Sequence, residues 1–156
     1  MQHDTLDAIR AEFIEKIGLI AQTEGLPRIA GRVFGLLVFD GAAIAFSDLA
    51  ETLQVSRGSI SSSVRLLEER GLVKRTARPG ERQDYFQLAD NPYATMLDRA
   101  KRSLSHARDD INATIARLPA SDVDVRTRLN AYADFYGAME TCLLGALTTL
   151  DDGGDA

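Results

Sequence analysis

Two kinds of side chain with chemical reach gather in one stretch of this chain. Between Arg57 and Arg82 lie seven basic residues (Arg57, Arg65, Arg70, Lys74, Arg75, Arg78 and Arg82) against three acidic ones (Glu68, Glu69 and Glu81). The segment carries +4 in a chain whose net charge is −5, so the remainder carries −9. Interleaved with the cations are small hydroxyl residues, Ser56, Ser59, Ser61 and Ser62, with Gly58 among them. Guanidinium and ammonium groups bind phosphate, and arginine can also make a paired hydrogen bond to the edge of a guanine. Small residues at the start of a helix let its backbone approach a phosphate chain, and the helix N-terminus itself attracts the anion. This set suits recognition of a polyanion, double-stranded DNA above all.

Such side chains need elements to place them. Ser47 reads as the N-cap of a short helix over 48–54, with Leu49, Ala50 and Leu53 inward. Ser56 reads as the cap of a second helix over 57–70, whose inward stripe is Ile60, Val64 and Leu67. That stripe leaves Gly58, Ser61, Ser62 and Arg65 on the opposite face and Ser59 on its flank. Gly71 is placed to end the helix with a positive φ. Residues 72–76 and 83–88 then read as two strands, joined by the turn Arg78-Pro79-Gly80-Glu81-Arg82. Two short helices, a tight turn and a basic hairpin make the pattern of a winged helix-turn-helix, whose second helix enters the major groove.

On that pattern, Ser56 and Arg57 at the helix start are set for phosphate and Arg65 for a guanine. The competing reading of Arg65 is an intrahelical ion pair with Glu68 or Glu69. Lys74 and Arg75 are further phosphate candidates, on alternate faces of their strand. Arg78, Gly80 and Arg82 form the wing tip, from which one arginine can enter an adjacent minor groove.

The flanks are helical. Leu6, Ile9, Phe13, Ile17 and Ile20 recur at helical spacing, Gly25 closes that helix, and Pro27 opens the next, over 28–39. Gly31 and Gly35 lie one turn apart there. Each costs about 1 kcal/mol of helix propensity, so a close neighbouring helix is expected against them. Beyond Asn91-Pro92, a helix to about Leu118 carries the seam Leu97, Leu104 and Ile111. A last helix, started by a Ser121/Asp124 capping box, carries Leu129, Tyr132, Tyr136, Met139 and Leu143. Near-heptad seams of this kind pack helices together, and the expectation is a homodimer interface. The fold class is therefore mainly α with a small β-wing. The expected organisation is an N-terminal helix (1–24) joining a dimerisation bundle, a winged helix-turn-helix domain (25–91), a long-helix dimerisation region (92–150) and a disordered acidic tail (151–156).

Other functions find little support. The two histidines, His3 and His106, and the single Cys142 make no metal-ligand spacing, and no phosphate-binding glycine loop or nucleophile elbow appears. No enzyme activity, metal or cofactor is expected. The apolar runs are too short to span a membrane, no signal peptide is evident, and the expected location is the cytoplasm. Cys142 reads as a small buried hydrophobe. The rival class is a winged helix reused as a protein-docking module without DNA binding.

The run Gly25-Leu26-Pro27-Arg28-Ile29-Ala30-Gly31-Arg32-Val33-Phe34-Gly35-Leu36-Leu37 is joined by Leu49-Ala50, Leu53 and Val55-Ser56-Arg57-Gly58-Ser59-Ile60-Ser61. It continues in Leu66-Leu67-Glu68-Glu69-Arg70-Gly71-Leu72-Val73-Lys74-Arg75 and Gly80-Glu81-Arg82. Together these resemble the MarR-type transcriptional regulators, and within them the GbsR-like branch. The resemblance spans roughly residues 13–88. It implies a homodimer with two winged modules on a pseudo-palindromic operator, and repression relieved by a small ligand of unknown identity. The choline-type cations that some relatives of this branch answer to are not carried over, because the chain has no Trp for a cation cage and Tyr132 and Tyr136 lie on the seam.

Overall fold

The structure, a computed structural model, describes residues 2–152. Its elements are α1 (Gln2–Thr23), α2 (Arg28–Asp40), β1 (Ile44–Ala45), α3 (Phe46–Leu53), α4 (Arg57–Glu69), β2 (Val73–Thr76), β3 (Tyr85–Leu88), α5 (Pro92–Ala116) and α6 (Val123–Asp152). The described residues fall into two compact units, divided between Pro92 and Tyr93.

The first unit is organised around α2, which buries Ala30, Gly31, Val33, Phe34, Gly35, Leu36 and Leu37. Helix α1 approaches so closely that a Cβ built on Gly31 would lie 2.4 Å from the Ala21 Cβ and 2.8 Å from the Ile17 carbonyl oxygen. The glycines read as a close-approach site are therefore that site. The buried face of α1 is made of Ile14, Gly18 and Ala21, while Leu6, Ile9, Leu19 and Ile20 stay about half exposed. Of the stripe read from the sequence, Phe13 and Ile17 meet α2, at Phe39 and Gly35, whereas Leu6, Ile9 and Ile20 lie away from it, because the closest approach selects small residues.

Charged side chains fix the rim of this helix pair. Arg10 donates twice to the Asp40 carboxylate, at 2.7 and 2.6 Å. Glu15 lies 2.6 Å from both Arg28 and Arg32, and Arg32 also donates to the Leu53 carbonyl at 3.0 Å. The hydrogen bond from Arg28, reinforced by the charge of Arg32, holds the Glu15 carboxyl below the usual carboxylate range. A depressed folded-state pKa stabilises the fold above the ordinary value and ceases to do so as pH falls through the lowered one. The Glu15 side chain is 42% exposed, so solvent screening limits the contribution to about 1 kcal/mol at most. Glu15→Gln is expected to lower the urea midpoint at pH 7. The gap from the parent should close as the pH is taken below the carboxylate range.

The sheet is antiparallel in the order β1-β3-β2, with Ile44 opposite Phe86, Ala45 opposite Tyr85, and Arg75 and Thr76 across from Phe86 and Tyr85. Two strands were expected, and β1 is the addition. Phe86 is fully buried with Leu49, Ile60 and Leu67 of α3 and α4 and Leu36 and Val33 of α2. Each such side chain contributes about 1.5–3 kcal/mol by leaving water. Ser56 caps α4 as expected, accepting from the Ser59 N–H at 3.1 Å, and Gly71 follows with φ 70°. Ser47 does not cap α3. The helix begins two residues earlier, at Phe46, with Ala45 in the cap position and no side-chain cap, and the Ser47 hydroxyl donates instead to Gln83 at 2.8 Å.

In the second unit, α5 stops at Ala116 and α6 starts at Val123, so Ser121 lies in the connecting turn, its carbonyl accepting from the Val123 N–H. Arg126 donates to the carbonyls of Ile115 and Leu118 at 3.3 and 3.1 Å, satisfying the end of α5. Arg108 reaches Glu140 at 2.7 Å, joining the two helices. Ala133 is buried, whereas Tyr132 (50%), Phe135 (55%) and Met139 (37%) are exposed. The other seam residues, Leu97, Leu104, Ile111, Leu129, Tyr136 and Leu143, are half-buried, and Cys142 is exposed rather than buried. Asp151 and Asp152 continue α6, where a disordered tail was expected; residues 153–156 of that tail lie outside the described residues.

Candidate nucleic-acid interface

Helix α4 sits on the core through Ile60, Ser63, Val64 and Leu67, which turns Gly58, Ser62, Arg65 and Glu69 outward. Ser61 and Ser59 are half-buried on either flank. A Cβ on Gly58 would meet only the Ser56 hydroxyl, 3.9 Å away, so the backbone there is open to a large partner. The serines are already engaged within the helix. Ser62 donates to the Gly58 carbonyl at 3.0 Å, and the Ser59 and Ser56 hydroxyls lie 2.9 Å apart. Their lone pairs and rotatable protons remain available to phosphate. At the helix start the Arg57 guanidinium lies 4.8 Å from the Phe46 ring centroid, a cation–π contact that orients it.

The cations divide into held and unheld groups. Lys74 is 2.6 Å from Asp90. Arg75 pairs with Glu68 at 3.0 Å and Asp84 at 3.1 Å and lies over the Phe86 ring at 5.4 Å. The Glu68 bond is the chief reason that the Arg75 pKa rises. Arg65 is exposed, and no ion pair to Glu68 or Glu69 forms; Glu68 serves Arg75 instead. Arg82, also exposed, has no carboxylate within ion-pair distance among the described residues.

The wing tip is a tight turn. Pro79 and Gly80 occupy its centre, Gly80 has φ 83° and the Glu81 N–H donates to the Arg78 carbonyl at 3.1 Å, as a type II turn requires. Arg78 lies 4.0 Å over the Tyr85 ring, and the Tyr85 hydroxyl donates to the Glu81 carboxylate, which raises the phenol's pKa. Sequence reasoning missed Phe46, Asp84 and Tyr85 as supports of the basic residues. No local pattern marked them, since Phe46 lies far along the chain from Arg57 and Tyr85 lies beyond the turn from Arg78. Between Pro27 and Ile29 at the start of α2 and Ser59, Ser62 and Ser63 of α4 lies an open crevice of about 220 Å³.

A profile of the MarR family matches residues 24–84, the segment that holds these elements. The HTH-type transcriptional regulator MmpR5 of Mycobacterium tuberculosis is 31% identical over 137 residues, covering 87% of this chain and 83% of the relative. This chain belongs to the MarR family. The HTH-type transcriptional repressor OpcR of Bacillus subtilis is 26% identical over 94 residues, 60% of this chain and 51% of its own length. A solved structure of a transcriptional regulator is 29% identical and superposes with a TM-score of 0.73, over 92% of this chain and 98% of its own. The MarR family is one of DNA-binding transcriptional regulators, and the matched segment holds the winged helix just described. No helix among the described residues is long and apolar enough to cross a membrane, and no group of three or more His, Cys, Asp or Glu among them is placed to hold a metal ion.

Proposed function

We propose that this regulator is a homodimeric repressor of the GbsR-like branch that reads a pseudo-palindromic operator and releases it on binding a small effector. The observation that carries the DNA-reading part is the outward face of α4. Gly58, Ser62 and Arg65 stand exposed there, and the wing offers Arg82 without an acidic partner among the described residues, on a chain that is otherwise acidic. Ser56, Arg57, Ser59 and Ser61 would serve phosphates around the helix start, and Arg78 and Gly80 would shape the wing. The branch assignment rests on the segment from Gly25 to Leu37, and the repressor role on the likeness to OpcR.

Dimerisation is supported by α6, whose apolar face of Tyr132, Phe135 and Met139 is uncovered within one chain. A seam that also draws on Leu97, Leu104, Ile111, Leu129, Tyr136 and Leu143 would bury it against a second copy. The dimer must set its two α4 helices about 34–36 Å apart, or a near multiple along the duplex, to meet grooves on one side. An effector can then release DNA only through unequal affinity for arrangements that do and do not meet this spacing.

The test is a fluorescence-anisotropy titration of the protein against duplexes from its own upstream region at two salt concentrations. Tight binding with two protomers per site and a steep fall with salt is the expected result. Absence of binding at low salt, with and without candidate effectors, would favour the docking module instead.

A further inference from the structure

We propose that Tyr85 is a positioning residue of the wing, whose hydroxyl sequesters the Glu81 carboxylate and so keeps Arg82 unpaired for the duplex. The inference rests on the reading of Arg82 as a DNA contact. Glu81 and Arg82 are neighbours on the loop 77–84 between β2 and β3, whose other acidic residue, Asp84, is held by Arg75 at 3.1 Å. A carboxylate left loose there has two outlets. It can pair with Arg82, or it can face the phosphates and repel them, and either removes about one unit of the loop's useful charge.

Neither outlet is taken. The Tyr85 hydroxyl donates to the Glu81 carboxylate. That hydroxyl is a fixed point, because the Tyr85 backbone is paired on both sides, to Ala45 and to Thr76. Its ring is roofed by Arg78 at 4.0 Å and the residue is only 8% exposed. One side chain thus engages Arg78 through its face and Glu81 through its hydroxyl, and Arg82 is the cation left over. A tyrosine serving only to steady the hairpin would act through its ring, which phenylalanine also supplies. The two roles separate on the hydroxyl alone.

The experiment is a double-mutant cycle on the full chain, by anisotropy against an upstream-region duplex and a mixed-sequence duplex over a range of salt. Tyr85→Phe is expected to weaken binding to both by about five-fold and to lower the slope of log affinity against log salt by about 0.9, the value of one phosphate contact. Glu81→Gln in that background is expected to restore both readouts, yet to change affinity less than about two-fold in the parent. Coupling of that sign is what sequestration demands. A Tyr85→Phe loss that Glu81→Gln does not rescue makes the hydroxyl a structural brace and overturns the proposal. So does an equal effect of Glu81→Gln in both backgrounds. Arg82→Ala separates the two layers. If it weakens binding while Tyr85→Phe is silent, this inference alone falls; if it binds as the parent does, the reading of the wing falls and takes the inference with it.

Discussion

Gly31→Ala is expected to cost about 2 kcal/mol or more of stability, read as a lower urea midpoint at an unchanged denaturant slope. Helix propensity alone predicts the opposite, since alanine in a helix interior is worth about 1 kcal/mol over glycine. The contact geometry decides against it. The new methyl carbon would lie 2.4 Å from the Ala21 Cβ, 2.8 Å from the Ile17 carbonyl oxygen and 2.9 Å from the Gly18 Cα. None of these can swing aside by changing a rotamer, so α1 has to move bodily outward and loosen its packing on α2. Gly35→Ala meets only the Ile17 side chain, at 2.9 Å and beyond, and should cost less. Ala21→Gly added to Gly31→Ala should recover part of the loss, because it removes the shortest contact and leaves the carbonyl one. A Gly31→Ala protein as stable as the parent would mean that the helices do not meet this closely.

The same contrast explains which parts of the molecule were legible in the sequence. Gly31 and Gly35 could be read because a propensity penalty inside an apolar helix points to a neighbour without saying which. The inward stripe Ile60, Val64 and Leu67 could be read because helix periodicity is local; of the residues it turned outward, Gly58, Ser62 and Arg65 are exposed, whereas Ser61 falls to the half-buried flank. Strand β1 could not: two residues, Ile44 and Ala45, carry no period, and they are a strand only through pairing with Phe86 and Tyr85. That pairing also moves the start of α3 to Phe46, which places a ring beneath Arg57 and frees Ser47 for Gln83. The local cap rule for Ser47 was sound and lost to a tertiary contact.

The wing shows a second limit. Lys74 and Arg75 resemble their neighbours in charge, yet their partners Asp90, Glu68 and Asp84 lie seven to sixteen residues away on other elements. Spacing rules for ion pairs reach three or four residues along a helix and do not extend across a hairpin. The four cations of the wing, Lys74, Arg75, Arg78 and Arg82, therefore read alike in sequence, while in the fold two of them already have carboxylates to neutralise. Transferring Lys74 or Arg75 to phosphate means exchanging one anion for another, so each should contribute less to DNA affinity than an unpaired arginine. Arg75→Ala should act mainly on the sheet, by leaving Glu68 and Asp84 without their common cation.

Arg65→Ala and Arg82→Ala are expected to weaken DNA binding most and in different ways. Arg65 stands on the outward face of α4 with no acidic partner among the described residues, at the reach where a paired hydrogen bond to guanine is worth about 1–3 kcal/mol of discrimination. Removing it should reduce affinity for the preferred site by about ten-fold or more and lower non-specific affinity far less, so that preference among sequences relaxes. Arg82 sits on a turn and meets the duplex as a charge. Its loss should weaken binding to every sequence by a similar factor and lower the salt slope by about 0.9. The measurement is the pair of affinities, operator and mixed-sequence duplex, for each variant over a range of salt. A base contact shows in the ratio of the two affinities, a phosphate contact in the slope, and a general loss of fold in neither without also shifting Tm. If the double variant binds operator as tightly as the parent, both assignments are wrong. The basic surface built by α4 and the wing would then have to serve a partner other than the groove of a duplex.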